Sequence, residues 1–269
     1  DTTLLSPSVL AGVTSPAYLL WGKAARMGGA EIARQFASQL PDAELELMPG
    51  AGHAPWMDDP DHVAELPLAQ TAHTIAGLGR RAIVARCDVS RPDDIAELFA
   101  RLDAEFGRID ILGNVAGDAV LARPEDISIE QVRQVIDTLV IGRFSCCQQA
   151  GRRMLAARRG SIINIGSLAS LTALGRGHIA YSMAMGAVVQ MTRELSTEWS
   201  SQGVRVNAIL PAQVVNPSLE ARMAADPNLK ATYLRGIPIG RLGRPDDIQG
   251  VSVFLASDAS AWITGALIP

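Results

Sequence analysis

Cysteine is scarce in this chain: three in 269 residues, at Cys87, Cys146 and Cys147. Two of them are adjacent, a placement that rarely gives a disulfide, and none falls into a metal-ligand spacing. A disulfide scaffold and a thiolate metal site are both excluded, and reduced, buried thiols in a cytoplasmic protein are expected. An excess of positive charge is missing too. Lysine and arginine number 24 against 28 acidic residues, for a net charge of −4, so neither nucleic acid nor an acidic membrane surface is expected as a partner. Charges interrupt every apolar stretch well short of 18 residues, so no membrane span is expected. No signal peptide, internal repeat or low-complexity linker is evident. The start at Asp1 and the stop at Ile268-Pro269 read as cut ends.

What the chain does have is apolar content, 48% of its residues, enough for a full core. Its length suits one large α/β domain or two small ones. Apolar runs alternate with amphipathic stretches, the pattern of βαβ units around a parallel sheet. Strands are predicted at 17–21, 44–48, 81–87, 109–114, 161–165, 205–209 and 262–268. Helices are predicted at 30–40, 61–78 (split by Pro67), 93–106, 129–158, 180–202 and 245–257. Pro92 and Asp93 form the start signal of the helix at 93.

Several short motifs stand in order along the second part of the chain. Cys87-Asp88-Val89 closes a strand. Asp110-Ile111-Leu112-Gly113-Asn114-Val115-Ala116-Gly117 and Gly160-Ser161-Ile162-Ile163-Asn164-Ile165-Gly166-Ser167 each read as strand and turn. Val206-Asn207-Ala208-Ile209-Leu210-Pro211, Gly240-Arg241-Leu242-Gly243-Arg244-Pro245-Asp246-Asp247-Ile248 and Phe254-Leu255-Ala256-Ser257 follow. Each alone is weak. Together, over residues 70–269, they resemble the short-chain dehydrogenase/reductase family. The resemblance implies a doubly wound, Rossmann-like α/β/α sheet with strand order 3-2-1-4-5-6-7. It also implies a nicotinamide cofactor (NAD or NADP), a small-molecule substrate with a hydroxyl or carbonyl group, and a homo-oligomer, dimeric or tetrameric through the helices at 129–158 and 180–202.

Residues 1–66 resemble something else. Leu19-Leu20-Trp21-Gly22, Leu40-Pro41-Asp42-Ala43-Glu44-Leu45, Gly50-Ala51-Gly52-His53-Ala54-Pro55-Trp56 and Asp58-Asp59-Pro60 look like the C-terminal end of an α/β-hydrolase. There the histidine matching His53 is the triad base. No Gly-x-Ser-x-Gly elbow occurs, however, and the acid position falls on Ala24 or Ala25. In the expected strand order His53 also lies roughly 14 Å from Ser167, three strand spacings away. Hydrolysis is therefore not expected. The expectation is one composite domain over 1–269, in which the 1–66 segment stands in for the first βαβ unit.

A dinucleotide site needs a glycine-rich turn after the first strand, so that pyrophosphate can approach the backbone at a helix N-terminus. The chain offers Trp21-Gly22-Lys23-Ala24-Ala25-Arg26-Met27-Gly28. Gly22 and Gly28 match the family pattern. Arg26 stands where its middle glycine would be and adds a charge that attracts phosphate. No acid or arginine ends the second strand, at Leu47-Met48-Pro49, to read a ribose. By resemblance, Asp88, Asn114 and Gly117 complete the cofactor contacts.

The catalytic pattern of the family is Asn, Ser, Tyr and Lys. Ser167 and Tyr181 match the serine and tyrosine. The lysine position, four residues after the tyrosine, is Met185, and the asparagine position is Leu139. A lysine one helical turn from the phenol lowers its pKa for proton exchange, which methionine cannot do. Ser167 and Tyr181 retain the ability to donate hydrogen bonds to a carbonyl or oxyanion. His178 and Asp118 lie near the site mouth, and Met183 and Met185 are expected to line the cleft. Three functions follow: an oxidoreductase with altered or weak activity; a cofactor-independent enzyme polarising a carbonyl or epoxide, a logic that halohydrin dehalogenases resemble although they keep a cation at the position of Met185; and a non-catalytic oligomer subunit.

Overall fold

The computed structural model describes residues 17–22, 43–48, 72, 76, 79–115 and 119–269. The predicted helix at 30–40 and, apart from residues 72 and 76, the predicted helix at 61–78 lie outside them. The strands, all parallel, are β1 (Ala17–Gly22), β2 (Ala43–Met48), β3 (Ala82–Val84), β4 (Ile111–Asn114), β5 (Gly160–Ile165), β6 (Val204–Ile209) and β7 (Leu267–Ile268). β1, β2 and β3 hydrogen-bond in that order, as do β4 through β7. β1 packs alongside β4, so the order runs 3-2-1-4-5-6-7 and its direction reverses between β1 and β4.

The central strands are apolar runs buried on both faces, as parallel strands must be. Ile162, Val204 and Val206 pack toward α1 (Pro92–Phe106), α3 (Arg143–Ala157) and α4 (Ile179–Trp199). The opposite face of β5 and β6 carries Ser161 and Arg205, which are register partners. Both donate to Leu255 O, at 2.7 Å and 2.9 Å, on α7 (Asp246–Ala256). The result is a doubly wound, three-layer α/β/α fold.

Local signals set the helix ends. Pro92 opens α1 with Asp93 and Asp94 in its first turn, where the helix dipole favours acids. Gly107 closes it in the left-handed region (φ 71°). Ile95, Leu98, Phe99 and Leu102 form its buried stripe. Ser128 and Gln131 make a reciprocal capping box at the start of α2 (Ile129–Ile136), a feature worth about 1 kcal/mol.

The structure corrects four expectations. The long helix predicted at 129–158 is interrupted by a π-helical turn at Asp137–Gly142. This turn passes close to the chain after β3: a Cβ on Gly142 would sit 2.1 Å from the Val89 carbonyl oxygen. β3 is shorter than 81–87, because its pairing partner β2 ends at Met48, one residue beyond the Leu47–Val84 pair. β7 spans only Leu267–Ile268 of the predicted 262–268. A 3-10 turn at Asp258–Ser260 precedes it and Gly265 (φ 70°) bends the approach, leaving Trp262 99% exposed. Residues 213–235, for which no strand or helix is predicted, contain α5 (Pro217–Ala225) and α6 (Leu229–Leu234). Their apolar faces pack with Leu242 and Ile237.

Candidate functional site

The strand-order reversal puts a crevice outside the C-terminal ends of β1 and β4, where open α/β sheets hold ligands. Gly22 is the last residue of β1. Asp88 is exposed beyond β3, and its Oδ1 accepts hydrogen bonds from the Ser90 N–H (2.9 Å) and O–H (2.7 Å). Arg26, Gly28 and Gly117 lie outside the described residues, as do His53 and Asp118.

Asn114 ends β4, and its side chain is turned into the core. Its amide donates to Asn164 Oδ1 (3.0 Å), Cys147 Sγ (3.1 Å) and Arg143 O (3.3 Å). Asn164 in turn donates to Thr192 Oγ1 (2.9 Å), which donates to Val188 O (2.8 Å). This buried polar chain links β4, β5, α3 and α4 beneath the crevice. What Asn114 presents to a ligand is the backbone of its strand end.

Ser167 follows β5 by two residues and caps the 3-10 turn Leu168–Ser170. Its Oγ accepts from the Ala169 N–H (3.2 Å), and Ser170 Oγ accepts from the Ser167 N–H (3.3 Å). The hydroxyl proton of Ser167 is still available to donate. The turn packs against α4. Ala169 and the half-buried Tyr181 belong to one cluster with Val135, Leu139, Ala184, Met185 and Val188. The fold therefore brings the Ser167 turn and Tyr181 to one place.

Leu139 and Met185, at the two substituted positions, are each 1% exposed and share this cluster. The expectation that Met183 and Met185 both line the cleft is thus corrected. Helical spacing puts Met185 on the buried stripe with Val188, Val189 and Thr192, while Met183 is exposed. His178 Nδ1 lies 2.7 Å from Gly175 O, and its ring meets Tyr181 edge-on, with ring centroids 6.3 Å apart. The loop before α4 and the α5–α6 region meet through the Arg176 guanidinium, 4.9 Å over the Tyr233 ring.

Sequence reasoning missed Arg143. It is 5% exposed, on the first turn of α3. Its guanidinium donates to Ile165 O and, at 3.3 Å, to Val115 O, at the ends of β5 and β4. Burial pulls its pKa down to about 10, while Tyr181, then Cys147 and Cys146, pull it back up. It remains a cation at neutral pH. A signal for it exists in the sequence: Leu139, Arg143, Cys146, Cys147, Ala150 and Met154 follow helical spacing, so the arginine lies on an apolar stripe.

Among the described residues no helix is long and apolar enough to cross a membrane, and no three or more His, Cys, Asp or Glu gather as a metal site.

A parallel sheet reversed between β1 and β4, with a serine after β5 and a tyrosine in the first turn of α4, is the arrangement of a Rossmann-type α/β fold. A family model described as enoyl-(acyl carrier protein) reductase matches residues 62–269. D-threitol dehydrogenase of Mycolicibacterium smegmatis is 40% identical over 180 residues, covering 67% of this chain and 68% of that protein. Cis-4-hydroxycyclohexanecarboxylate dehydrogenase of Sinomonas cyclohexanicum is 36% identical over 199 residues, 73% and 78% of the two chains. A solved gluconate 5-dehydrogenase candidate from Beutenbergia cavernae, with NADP bound at low occupancy, superposes with a TM-score of 0.81 at 30% identity, over 98% and 96% of the chains. The chain belongs to the short-chain dehydrogenase/reductase family, a family of oxidoreductases.

Proposed function

We propose that this protein is an NAD(P)-dependent oxidoreductase that interconverts a hydroxyl and a carbonyl on a small molecule. The observation carrying the reading is the meeting of the Ser167 turn with Tyr181 beside the β1–β4 reversal. The relatives support the substrate class: one acts on threitol, another on a hydroxylated cyclohexane carboxylate. A nicotinamide, when bound, supplies or accepts the hydride. Gly22 and Asp88, with Arg26, Gly28 and Gly117, would hold it, alongside the end of the strand that Asn114 closes.

Ser167 and Tyr181 donate hydrogen bonds to the substrate carbonyl oxygen and draw charge onto it. As that oxygen becomes an alkoxide, the Tyr181 O–H bond breaks and the proton passes to it. Ser167 holds the oxygen in place during the transfer. Leu139 and Met185 make the ground behind Tyr181 apolar, so no polar relay through those positions returns a proton. Turnover is slower than with a lysine there, by part of the ~10²–10⁴-fold that acid–base assistance contributes.

Residues 1–66 form, in this reading, the first βαβ unit of one composite domain. The parallel register of β1 with β2 supports it. The protein works in the cytoplasm as a homo-oligomer. Exposed Ile141 just before α3, Phe144 on α3, and Ile179 and Met183 on α4 supply apolar surface for self-association.

The test is a thermal melt with NAD, NADH, NADP and NADPH, followed by turnover of small polyols and cyclic alcohols. A cofactor-dependent rise in Tm and turnover lost in Tyr181→Phe are expected. No shift at millimolar cofactor, together with no turnover, rules the reading out.

A further inference from the structure

Three chain segments converge on the tripeptide Gly175-Arg176-Gly177, which lies between Ser167 and Tyr181 in sequence. All three leave the carboxyl ends of neighbouring strands, the edge where an open α/β sheet holds its ligand. The segment after β4 reaches the tripeptide through the Ala122 N–H, which donates to Gly177 O at 3.1 Å, and through a parallel bridge between Ala122 and His178. The segment after β5 contains it. The segment after β6 reaches it through Tyr233 on α6, whose ring centroid lies 4.9 Å from the Arg176 guanidinium carbon. His178 Nδ1, 2.7 Å from Gly175 O, ties the tripeptide to the residue whose ring meets Tyr181 edge-on. Arg176 therefore stands on the rim of the cleft that Ser167 and Tyr181 share.

The rim is fixed on both sides of the arginine. Tyr233 is 6% exposed and packs with Leu219, Ile237 and Leu242, so its ring is a firm platform. A Cβ on Gly177 would lie 2.9 Å from Ala122 O, so the two backbones meet closely there. Arg176 itself is left-handed (φ 56°). Glycine or asparagine adopts that conformation with less strain, so the backbone does not select arginine. Nor does a partner within the protein: the side chain is exposed, and among the described residues it makes no hydrogen bond and no ion pair. A cation–π contact engages the charge of a guanidinium and leaves its N–H donors unused.

We propose that Arg176 selects substrates that carry a carboxylate, pairing with it while Ser167 and Tyr181 hold the reacting oxygen. The substrate class is then a small hydroxy acid or the matching oxo acid. Arg176 is a specificity-determining residue. It meets the end of the substrate remote from the reacting carbon and takes no part in proton or hydride transfer. The planar fork of guanidinium donors matches the two oxygens of a carboxylate, and the Tyr233 ring keeps that fork at the rim. The proposal deepens the oxidoreductase reading and rests on it for turnover; the recognition itself needs no nicotinamide.

The experiment compares 4-hydroxycyclohexanecarboxylate with its carboxamide, a neutral molecule of nearly the same shape. Binding of each to the full chain is measured by ligand-observed NMR without cofactor. The carboxylate should bind about tenfold tighter or more, the scale of a charge-assisted pair, and the preference should shrink as salt is added. Arg176→Asn and Arg176→Gly, both compatible with left-handed backbone, should bring the two compounds to equal affinity. Arg176→Lys, a point charge without the fork, should keep part of the preference. Equal binding to the wild type, no binding of either compound, or a preference that survives in both neutral variants overturns the proposal. With nicotinamide present, Arg176→Asn should raise KM for the acid more than it lowers kcat, the mark of lost ground-state binding. A preference in binding without nicotinamide-dependent turnover of either compound keeps this proposal and removes the oxidoreductase reading. Turnover of both compounds at equal kcat/KM does the reverse.

Discussion

Gly142→Ala tests the π-helical turn most directly. A Cβ at this position lies 2.1 Å from the Val89 carbonyl oxygen, 2.9 Å from its carbon and 3.2 Å from Val89 Cβ. Unstrained contacts begin near ~3.5 Å, so the turn must retreat from the chain after β3 by roughly 1.4 Å. The obstacle is backbone, which cannot swing aside as a side chain can. Overpacking of this kind costs about 1–3 kcal/mol, and a backbone wall places it toward the upper end. Gly142 is in a helical conformation (φ −61°), so alanine itself recovers up to about 1 kcal/mol through the unfolded state. The net loss is about 2 kcal/mol, or a fall in Tm of roughly 4–8 °C for a chain of this size. Gly186, inside α4, is the internal control, because a Cβ added there meets nothing within 4 Å. Gly186→Ala should raise stability by up to about 1 kcal/mol. Denaturant midpoints at constant slope provide the comparison. If Gly142→Ala is as stable as the parent, the close approach to Val89 does not exist in solution. Leu139, inside that turn, and Arg143, which follows it, would then sit elsewhere as well.

Two further expectations concern titration. Cys87, Cys146 and Cys147 are buried; burial pushes Cys146 well up and Cys147 up to about 12, against a hydrogen bond from Asn114 that lowers it. A thiol reagent at pH 8 should modify none of the three in the folded protein, at rates ~10³-fold or more below a free cysteine, and all three in denaturant; a fast-reacting native thiol contradicts the packing of α3. Asp247 is held down to about 2 by the Arg241 guanidinium, against its partial burial, with the Arg244 N–H adding to the effect. Its folded pKa lies below its unfolded value of 3.8, so its contribution is present above about pH 4 and lost as pH falls toward 2. Asp247→Asn should cost about 1 kcal/mol at pH 7, solvent screening holding it to that, and a Tm deficit that persists unchanged down to pH 2 would contradict this.

Much of the sheet is legible from pattern alone. β4, β5 and β6 are mostly apolar, buried on both faces and bounded by turn residues, which is what a central parallel strand requires. Ser167 and Tyr181 are legible because their flanking motifs are long. The strand expected at 262–268 is too long because Trp262 and Ile263 look like strand residues. Their environment is decided instead by Arg205 and Asn207, which hold the carbonyl of Ile263 at 3.4 Å and 3.0 Å from across the sequence. The π-helical turn leaves no periodic trace, since it arises from a close backbone approach and not from side-chain character. Arg143 escapes a reading in which charge means exposure, although its spacing with Leu139, Cys146 and Ala150 says otherwise. Met185 misleads in the opposite direction: its neighbour Met183 does face outward.

The asparagines of β4 and β5 have one more effect. Asn114 and Asn164 are paired across the two strands in the sheet ladder, and Asn207 on β6 accepts from the Ala266 N–H at 3.0 Å while donating to Ile263. Hydrophobic strands such as these would slide past one another by a residue or two with little penalty if only grease held them. Amides at fixed rungs forbid that, because any offset strands several buried donors without acceptors at once. Alignment of the central platform is thereby written in three amides, and replacing Asn164 with a leucine of similar size should leave a chain that still collapses but no longer settles on one alignment.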